Sequence, residues 1–304
     1  MSAPTNQLPD LPCYLNGEFT ALRDAKISVM DRGFIFGDAV YEVVPVYGGS
    51  PFRFAQHMAR LDRSLAELRI TNPLTHAQWH GMVVKLIADY AHWAGTSIQN
   101  GDQLVYIQVT RGVAMREHVM LEGLTPTVFV MSNAMKPVPA QVRNQGASCV
   151  TANDFRWEKA HIKSTSLLGA VFARQLSFDA GALETVMFRD GFLSEAASSN
   201  VWVVKDGTVM GSPKDHLVLE GIRYGLIEEI CRAQGIAFEL RRLTRDEVCS
   251  ADELLLSSAT KEVLAITRLD SKPVGTGVPG PVYASLYAAY QQAKMAPSNL
   301  LPLQ

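Results

Sequence analysis

The stretch FRWEKAHIKSTSLLGA, residues 155–170, holds two lysines four positions apart, Lys159 and Lys163. Before Lys159 the chain is charged and aromatic; after Lys163 it runs Ser, Thr, Ser, Leu, Leu, Gly, Ala, Val, Phe, Ala. A lysine at the mouth of an apolar run has two readings. Its stem can lie along apolar surface at a helix start while the ammonium stays in water. Alternatively, apolar neighbours disfavour the charged form, lower the amine's pKa from about 10.4 and leave a neutral nucleophile.

The flanks of this stretch set the fold class. Residues 164–181 read as a helix, and strands follow with Asp190-Gly191 and Asp206-Gly207 as hairpin turns. Gly221 closes a loop and opens a helix near 222–235. Strands near 237–242, 253–257 and 263–268 and a helix near 282–295 complete the second half. On the other side, ASCVTAND (147–154) is strand-like, and NAMKPVPAQVRNQG (133–146), with two prolines and little periodicity, reads as a connection between domains. Ahead of it, LVYIQVTRG (104–112) and TVFVMSN (127–133) are strands and 75–94 a helix. Met58, Leu61, Leu65 and Leu68 recur at helical spacing within 54–70. YEVVPVY (41–47) is strand-like, and short strands over 13–20 and 26–30 accompany the Asn16-Gly17 turn. Both halves mix strands and helices without regular βαβ alternation. The expected class is therefore α+β, divided as 1–132, a connection over 133–146, and 147–304.

A chain of 304 residues is long enough for two domains. Hydrophobic content of 47% with 19% charged residues is that of a globular chain, and a net charge of −2 argues against nucleic-acid or membrane-surface partners, which need a basic excess. The N-terminus lacks the basic and apolar regions of a signal peptide. No apolar run approaches the roughly 20 residues of a membrane span, so a cytosolic location is expected. Cys13, Cys149, Cys231 and Cys249 are scattered without a CxxC pair, as expected of reduced thiols. Two motif matches lack their context. HAQWH (76–80) has Ala77 where a zinc protease needs Glu, and GTGVPG (275–280) contains Pro279 and lies too near the C-terminus for a dinucleotide-binding unit.

A neutral Lys163 amine would form a Schiff base with an aldehyde cofactor, the device of pyridoxal phosphate enzymes. That cofactor needs an anion site for its phosphate. It also needs a carboxylate opposite its pyridine nitrogen, which keeps the ring protonated and electron-accepting. Gly221-Ile222-Arg223 at a helix start offers backbone N–H groups. Ser257-Ser258-Ala259-Thr260 offers hydroxyls and amides, Arg60 a bidentate contact, and Glu195 in LSEAASSN (193–200) a ring partner.

Six stretches occur in one order: DRGFIFGDAVYEVV (31–44), HMARL (57–61), HIKSTSLLG (161–169), LSEAASSNV (193–201), LEGIR (219–223) and LLSSATKEV (255–263). In that order the chain resembles the fold-type IV pyridoxal phosphate enzymes from about Tyr14 to about Lys294. This family includes branched-chain aminotransferases, D-amino acid aminotransferases and aminodeoxychorismate lyases. The resemblance implies a smaller N-terminal α/β domain and a larger C-terminal pseudo-barrel domain that binds the cofactor. It implies Lys163 as the Schiff-base lysine, Glu195 as partner of the pyridine nitrogen and Arg60 as a phosphate ligand. Ile222 and Arg223 would contribute backbone amides, Ser198, Ser258, Ala259 and Thr260 would lie at the cofactor, and Leu219 would pack on its ring. Two positions depart from the family pattern: Arg223 stands where Thr is common, and Ala259 where a hydroxyl residue is common.

Within RGVAMREH (111–118), Arg116-x-His118 resembles the Arg-x-His pattern by which D-amino acid aminotransferases hold the substrate carboxylate across a dimer interface, and Tyr41 resembles the tyrosine that joins it. A guanidinium suits a carboxylate because its planar fork donates two parallel hydrogen bonds. The expectation is a homodimeric D-amino acid transaminase taking a D-alanine-like donor and a 2-oxo acid such as 2-oxoglutarate. The alternatives are a branched-chain L-amino acid or (R)-amine aminotransferase, an aminodeoxychorismate lyase, and a non-catalytic protein that stores pyridoxal phosphate.

Overall fold

Strict alternation builds the first sheet. Val105, Ile107 and Val109 are buried while Leu104, Tyr106 and Gln108 between them are half-buried, so one strand presents a core face and a second, partly open face. The computed structural model describes residues 8–295; the expected domain ends over 1–7 and 296–304, and the first residues read against a signal peptide, lie outside the described residues. The chain forms two units, one running to Met135 and including Lys163–Ser166, the other comprising Lys136–Ile162 and the described residues from Leu167 on.

In the first unit the strands are β1 (Pro12–Leu15), β2 (Glu18–Ala21), β3 (Ala39–Tyr47), β4 (Ser50–Pro51), β5 (Gln103–Thr110) and β6 (Thr127–Ala134). They form an antiparallel sheet in the order β2-β1-β6-β5-β3-β4. Helices α1 (Arg32–Phe36), α2 (Phe54–Glu67) and α3 (His76–Trp93) accompany it, with α2 packed on β3 and α3 on β1, β5 and β6. The stripe Met58, Leu61 and Leu65 of α2 is buried, and a capping box between Thr75 and Gln78 starts α3. No strand forms over 26–30. Asp31 N donates to the Ser28 carbonyl, and the Asp31 carboxylate accepts from Gly33 N at 2.8 Å, so this stretch is the turn that caps α1.

Lys163–Ser166 adds to the same sheet. Tyr41 N donates to the Lys163 carbonyl and Thr165 N to the Ala39 carbonyl, both at 2.9 Å, around an antiparallel bridge between Val40 and Ser164. The helix expected from residue 164 therefore starts later, because these residues are already paired with β3.

The second unit holds α4 (Ala140–Gln145), β7 (Ala147–Asn153), α5 (Leu168–Asp179), β8 (Glu184–Arg189), β9 (Phe192–Ala196), β10 (Asn200–Lys205), β11 (Thr208–Gly211), α6 (Arg223–Gln234), β12 (Phe238–Leu240), α7 (Arg245–Cys249), β13 (Glu253–Ser258), β14 (Glu262–Leu269), β15 (Lys272–Pro273) and α8 (Pro281–Met295). Its sheet runs β12-β11-β10-β13-β14-β7-β8-β9, with β15 beside β14. The sheet curls into a pseudo-barrel: Ser212, just past β11, donates to the Leu193 and Ser194 carbonyls of β9, at 3.1 and 2.8 Å. Val186, Phe188, Val201, Val203, Leu254, Leu256, Leu264 and Ile266 fill its core. Asp190-Gly191 and Asp206-Gly207 both have positive φ, as two-residue hairpin turns require. The boundary between units falls after Met135, and the stretch expected as an irregular connection contains α4. Six residues are too few to show a helical period, and Pro139 stands at the helix start, where its missing N–H costs nothing. The architecture is α+β. Among the described residues no helix is long and apolar enough to cross a membrane.

Candidate active site

In the first unit Lys163 is half-buried, whereas Lys159 is exposed. Its backbone N donates to Ser64 Oγ at 3.3 Å, and its Nζ lies 4.2 Å from the centroid of the Tyr41 ring. The apolar run that follows is largely exposed. Leu168, Val171 and Phe172 on α5 are 68%, 59% and 59% exposed, because α5 begins only after the paired segment. An aromatic face neighbours the amine. Tyr41 stacks on Tyr106 with centroids 5.8 Å apart, and the Tyr106 phenol donates to Gln108 Oε1 at 2.6 Å. Burial, with Tyr41 adding to it, pushes the Tyr106 phenol up to about 12, so it remains a neutral donor.

Arg60, on the buried face of α2, has its Nε and Nη2 on the two oxygens of Glu42 from β3, at 2.7 and 2.8 Å. His57 Nδ1 lies 2.7 Å from the same carboxylate. Burial pushes the Glu42 carboxyl up, but Arg60 and His57 outweigh it and hold the group well below the usual carboxylate range. The guanidinium fork is thus oriented from the strand beneath it. Arg116 and His118 sit exposed on the loop after β5. Both approach the Phe36 ring, the guanidinium carbon at 5.5 Å and the imidazole centroid at 5.4 Å.

In the second unit Glu195, at the end of β9, is buried. Oε1 accepts from Arg156 Nη1 at 2.6 Å, and Oε2 from Asn200 Nδ2 at 3.1 Å and from Leu219 N at 3.3 Å. Burial pushes the Glu195 carboxyl above its ordinary range, and Arg156 and the Leu219 amide pull it back only in part. Arg156 is itself gripped by Asp154 through Nε at 2.9 Å and Nη2 at 2.8 Å. Burial opposes the Arg156 charge, but Asp154 and Glu195 hold the guanidinium protonated beyond its ordinary value.

Asn200 Nδ2 also donates to the Leu219 carbonyl at 2.9 Å. A Cβ at Gly221 would stand 2.1 Å from Asn200 Oδ1, so only glycine lets the 219–221 turn approach this close. The turn delivers the chain to α6, whose N-terminal cap is the apolar Ile222; with no side-chain acceptor there, the first-turn N–H groups suit an anion. The Arg223 side chain is buried and donates from Nε to the Tyr290 hydroxyl of α8 at 3.2 Å, so it does not point to solvent.

Ser198 donates to Glu184 Oε2 at 2.6 Å. Lys261 Nζ sits 3.0 Å from that oxygen and from the hydroxyls of Ser198 and Ser199, while its backbone N donates to Ser258 Oγ at 3.1 Å. This cluster ties the Ser198 turn to the loop carrying Ser258, Ala259 and Thr260. Ala259 has no hydroxyl to offer. Among the described residues no group of three or more His, Cys, Asp or Glu side chains is placed to hold a metal ion.

Each unit thus carries part of the expected set: Lys163 with Tyr41, and Arg116 with His118, in the first; Glu195 with Leu219, and Ser198 with Ser258, in the second. The donor types match the demands of pyridoxal phosphate: an amine over an aromatic face, a buried carboxylate of fixed orientation, and amides at a helix start. Arg156, Asn200, Glu42, Tyr106 and the Glu184–Lys261 pair were not legible as site residues. Arg156 lies within residues 155–170, but nothing local marks its partner, 39 residues on.

A sequence model of the amino-transferase class IV family matches residues 39–269. The D-alanine aminotransferase of Bacillus licheniformis is 34% identical over 91% of this chain and 95% of its own length. That of Staphylococcus epidermidis is 32% identical over 92% of this chain and 96% of its own. Among solved structures, a branched-chain amino acid aminotransferase complexed with N-(5'-phosphopyridoxyl)-L-glutamate superposes with a TM-score of 0.84, covering 96% of this chain and 97% of that one at 23% identity. A fold IV-transaminase from Curtobacterium pusillum superposes with a TM-score of 0.77 over 90% and 92% of the two chains at 25% identity.

Proposed function

The chain belongs to the amino-transferase class IV family, and on that premise we propose that it is a pyridoxal 5'-phosphate-dependent transaminase of D-amino acids. The donor is D-alanine or a similar small D-amino acid, and the acceptor a 2-oxo acid such as 2-oxoglutarate. The observation that carries the reading is the pairing of Arg116 and His118 over one ring, in a chain 34% identical to a D-alanine aminotransferase over nearly its whole length.

When bound, the cofactor supplies an aldehyde and an electron-accepting ring. Lys163 Nζ would hold that aldehyde and, once displaced by the incoming amino acid, would carry the proton from the substrate Cα to the carbon of the former aldehyde; a positioned base of this kind contributes roughly 10²–10⁴-fold. Glu195, held in line by Arg156 and Asn200, would partner the ring nitrogen as an anion, since a cationic ring N–H would favour the ionised carboxylate that burial alone disfavours. Leu219 would pack on the ring. The residues that would hold the phosphate are Arg60 in the first unit and Ser198, Ser258, Ala259 and the amides of Ile222 and Arg223 in the second. Arg116, His118 and Tyr41 take the substrate carboxylate.

The active form is a homodimer. Leu168, Val171, Phe172 and Leu176 expose one apolar face of α5, and Val113, Met115, Val119 and Met120 stand exposed on the loop that carries Arg116, surfaces of the kind a second copy covers. Its location is the cytoplasm, in keeping with four free cysteines.

Mixing the holoenzyme separately with D-alanine, L-alanine, D-glutamate, L-leucine and an (R)-amine, and following the cofactor spectrum, tests the assignment. Conversion by D-alanine and D-glutamate is expected. Conversion by L-leucine or the amine alone refutes it, and a light-scattering mass of one chain refutes the dimer.

A further inference from the structure

The loop after β5 is not held by its own side chains alone. At its root, Arg32 N donates to the Gly112 carbonyl at 2.9 Å, Asp31 and Val113 form an antiparallel bridge, and Ala114 N donates to the Met30 carbonyl at 3.3 Å. Further out, the Arg32 side chain reaches it. Arg32 is 3% exposed; its Nη1 donates to the carbonyl of Glu117, the residue between Arg116 and His118. The other edge of the same guanidinium is fixed, with Nε on Asp38 Oδ2 at 2.8 Å. Asp38 is in turn clamped by Arg111, from Nε at 2.7 Å and Nη2 at 3.1 Å, and Arg111 Nη2 also donates to the Leu68 carbonyl at 2.6 Å. The Arg32 guanidinium lies 4.8 Å from the centroid of Phe36, the ring that Arg116 and His118 also approach.

We propose that Arg32 and Phe36 form a platform that positions Arg116 and His118 for the substrate carboxylate; the proposal rests on the D-amino acid reading above. A peptide group is planar, so holding the Glu117 oxygen fixes the Cα atoms of both Glu117 and His118, and Arg116 is the next residue back. The ring then limits where the two side chains lie. Arg32 touches neither substrate nor cofactor in this scheme. It is a positioning residue, anchored from Leu68 through Arg111 and Asp38. Lysine at this position keeps the charge for Asp38 but has no planar fork to serve Asp38 and Glu117 together. Asp38 keeps Arg111 in that variant, so no buried carboxylate is orphaned.

The test measures D-alanine and an (R)-amine, which has no carboxylate, on four holoenzymes: Arg32→Lys, Phe36→Leu, Arg116→Ala and the Arg32→Lys/Arg116→Ala double variant. Thermal unfolding of each is recorded alongside. Misplacing a binding pair without removing it should raise KM for D-alanine about tenfold in Arg32→Lys, with kcat changed by less than about threefold. The amine should change by less than about twofold, and Arg32→Lys should add less than about twofold for D-alanine once Arg116 is gone. Phe36→Leu should show the same selective loss and keeps the test open if Arg32→Lys does not accumulate. Equal losses on both substrates in the soluble variants assign the platform to the fold and overturn the proposal. A selective loss in Arg116→Ala with none in Arg32→Lys or Phe36→Leu overturns it while the D-amino acid reading stands. No selective loss in Arg116→Ala refutes that reading and the platform with it.

Discussion

Replacing Arg156 with methionine isolates what holds Glu195. Methionine keeps the unbranched stem, which matters because a Cβ at Gly169 would come within 2.9 Å of Arg156 Cγ: the stem packs on the start of α5. What is lost is a bidentate grip on Asp154 and a 2.6 Å bond to Glu195, on side chains that are 0% and 7% exposed. Removing one partner of a buried ion pair costs about 3–5 kcal/mol. The lower end applies here, since Arg189 Nη2 remains 3.3 Å from Asp154 and Asn200 and the Leu219 amide remain on Glu195. Urea unfolding of the apoprotein reads this loss. The share due to Glu195 comes from repeating the substitution in Glu195→Gln. One charge-assisted hydrogen bond is worth about 1.5–3 kcal/mol, so Arg156→Met should cost less by about that amount in the second background. Loss of the cation should also raise the Glu195 pKa further. Cofactor binding, which needs the anion, should therefore fail at a higher pH in Arg156→Met than in the parent when titrated across a pH series. A coupling below about 0.5 kcal/mol, within the error of additivity, with an unshifted binding profile would refute the argument that Arg156 sets the charge and position of Glu195.

Four further outcomes are expected. Borohydride reduction of the holoenzyme should fix the cofactor on Lys163, and Lys163→Ala should fold yet lose nearly all transamination; a peptide map placing the label on Lys159 would contradict the assignment. Arg116→Ala should lower kcat/KM for D-alanine by roughly tenfold to a few hundredfold, the range for loss of charged hydrogen bonds, and Arg116→Lys by less, as steady-state rates will show. Lys261→Met leaves Glu184 buried without its cation and unties the Ser198 turn from the loop carrying Ser258, so cofactor affinity measured by fluorescence quenching of the apoprotein should fall, and Lys261→Arg should restore part of it. For Asp38, burial raises the carboxyl, but Arg111 and Arg32 outweigh it and hold its pKa below the ordinary 3.8. The stability it gives is present above that value and is lost as pH falls through the folded value. The penalty of Asp38→Asn, about 3–5 kcal/mol near neutrality for two buried guanidinium groups left unbalanced, should therefore shrink below pH 3.8; a penalty independent of pH in denaturation curves would exclude this origin.

Local pattern was enough for much of the architecture. Alternation in LVYIQVTRG and the three- and four-residue spacing of Met58, Leu61 and Leu65 mark which face of a strand or helix turns inward, and that information is carried by neighbours in the chain. The positive φ of Asp190-Gly191 and Asp206-Gly207 is likewise a property of a dipeptide. Six ordered motifs pointed to the family and to Lys163 and Glu195. The surroundings of those residues were not legible. The apolar run after Lys163 suggested an aliphatic pocket, yet that run is displayed outward on α5, and the amine lies over Tyr41 because residues 163–165 pair with β3. Arg156 meets Glu195 across 39 residues, and Arg32 meets Glu117 across 85. Periodicity records whether a side chain faces the core; which carboxylate, ring or carbonyl it meets there depends on strand order and loop path, which bring together distant parts of the chain, so only the tertiary structure decides it.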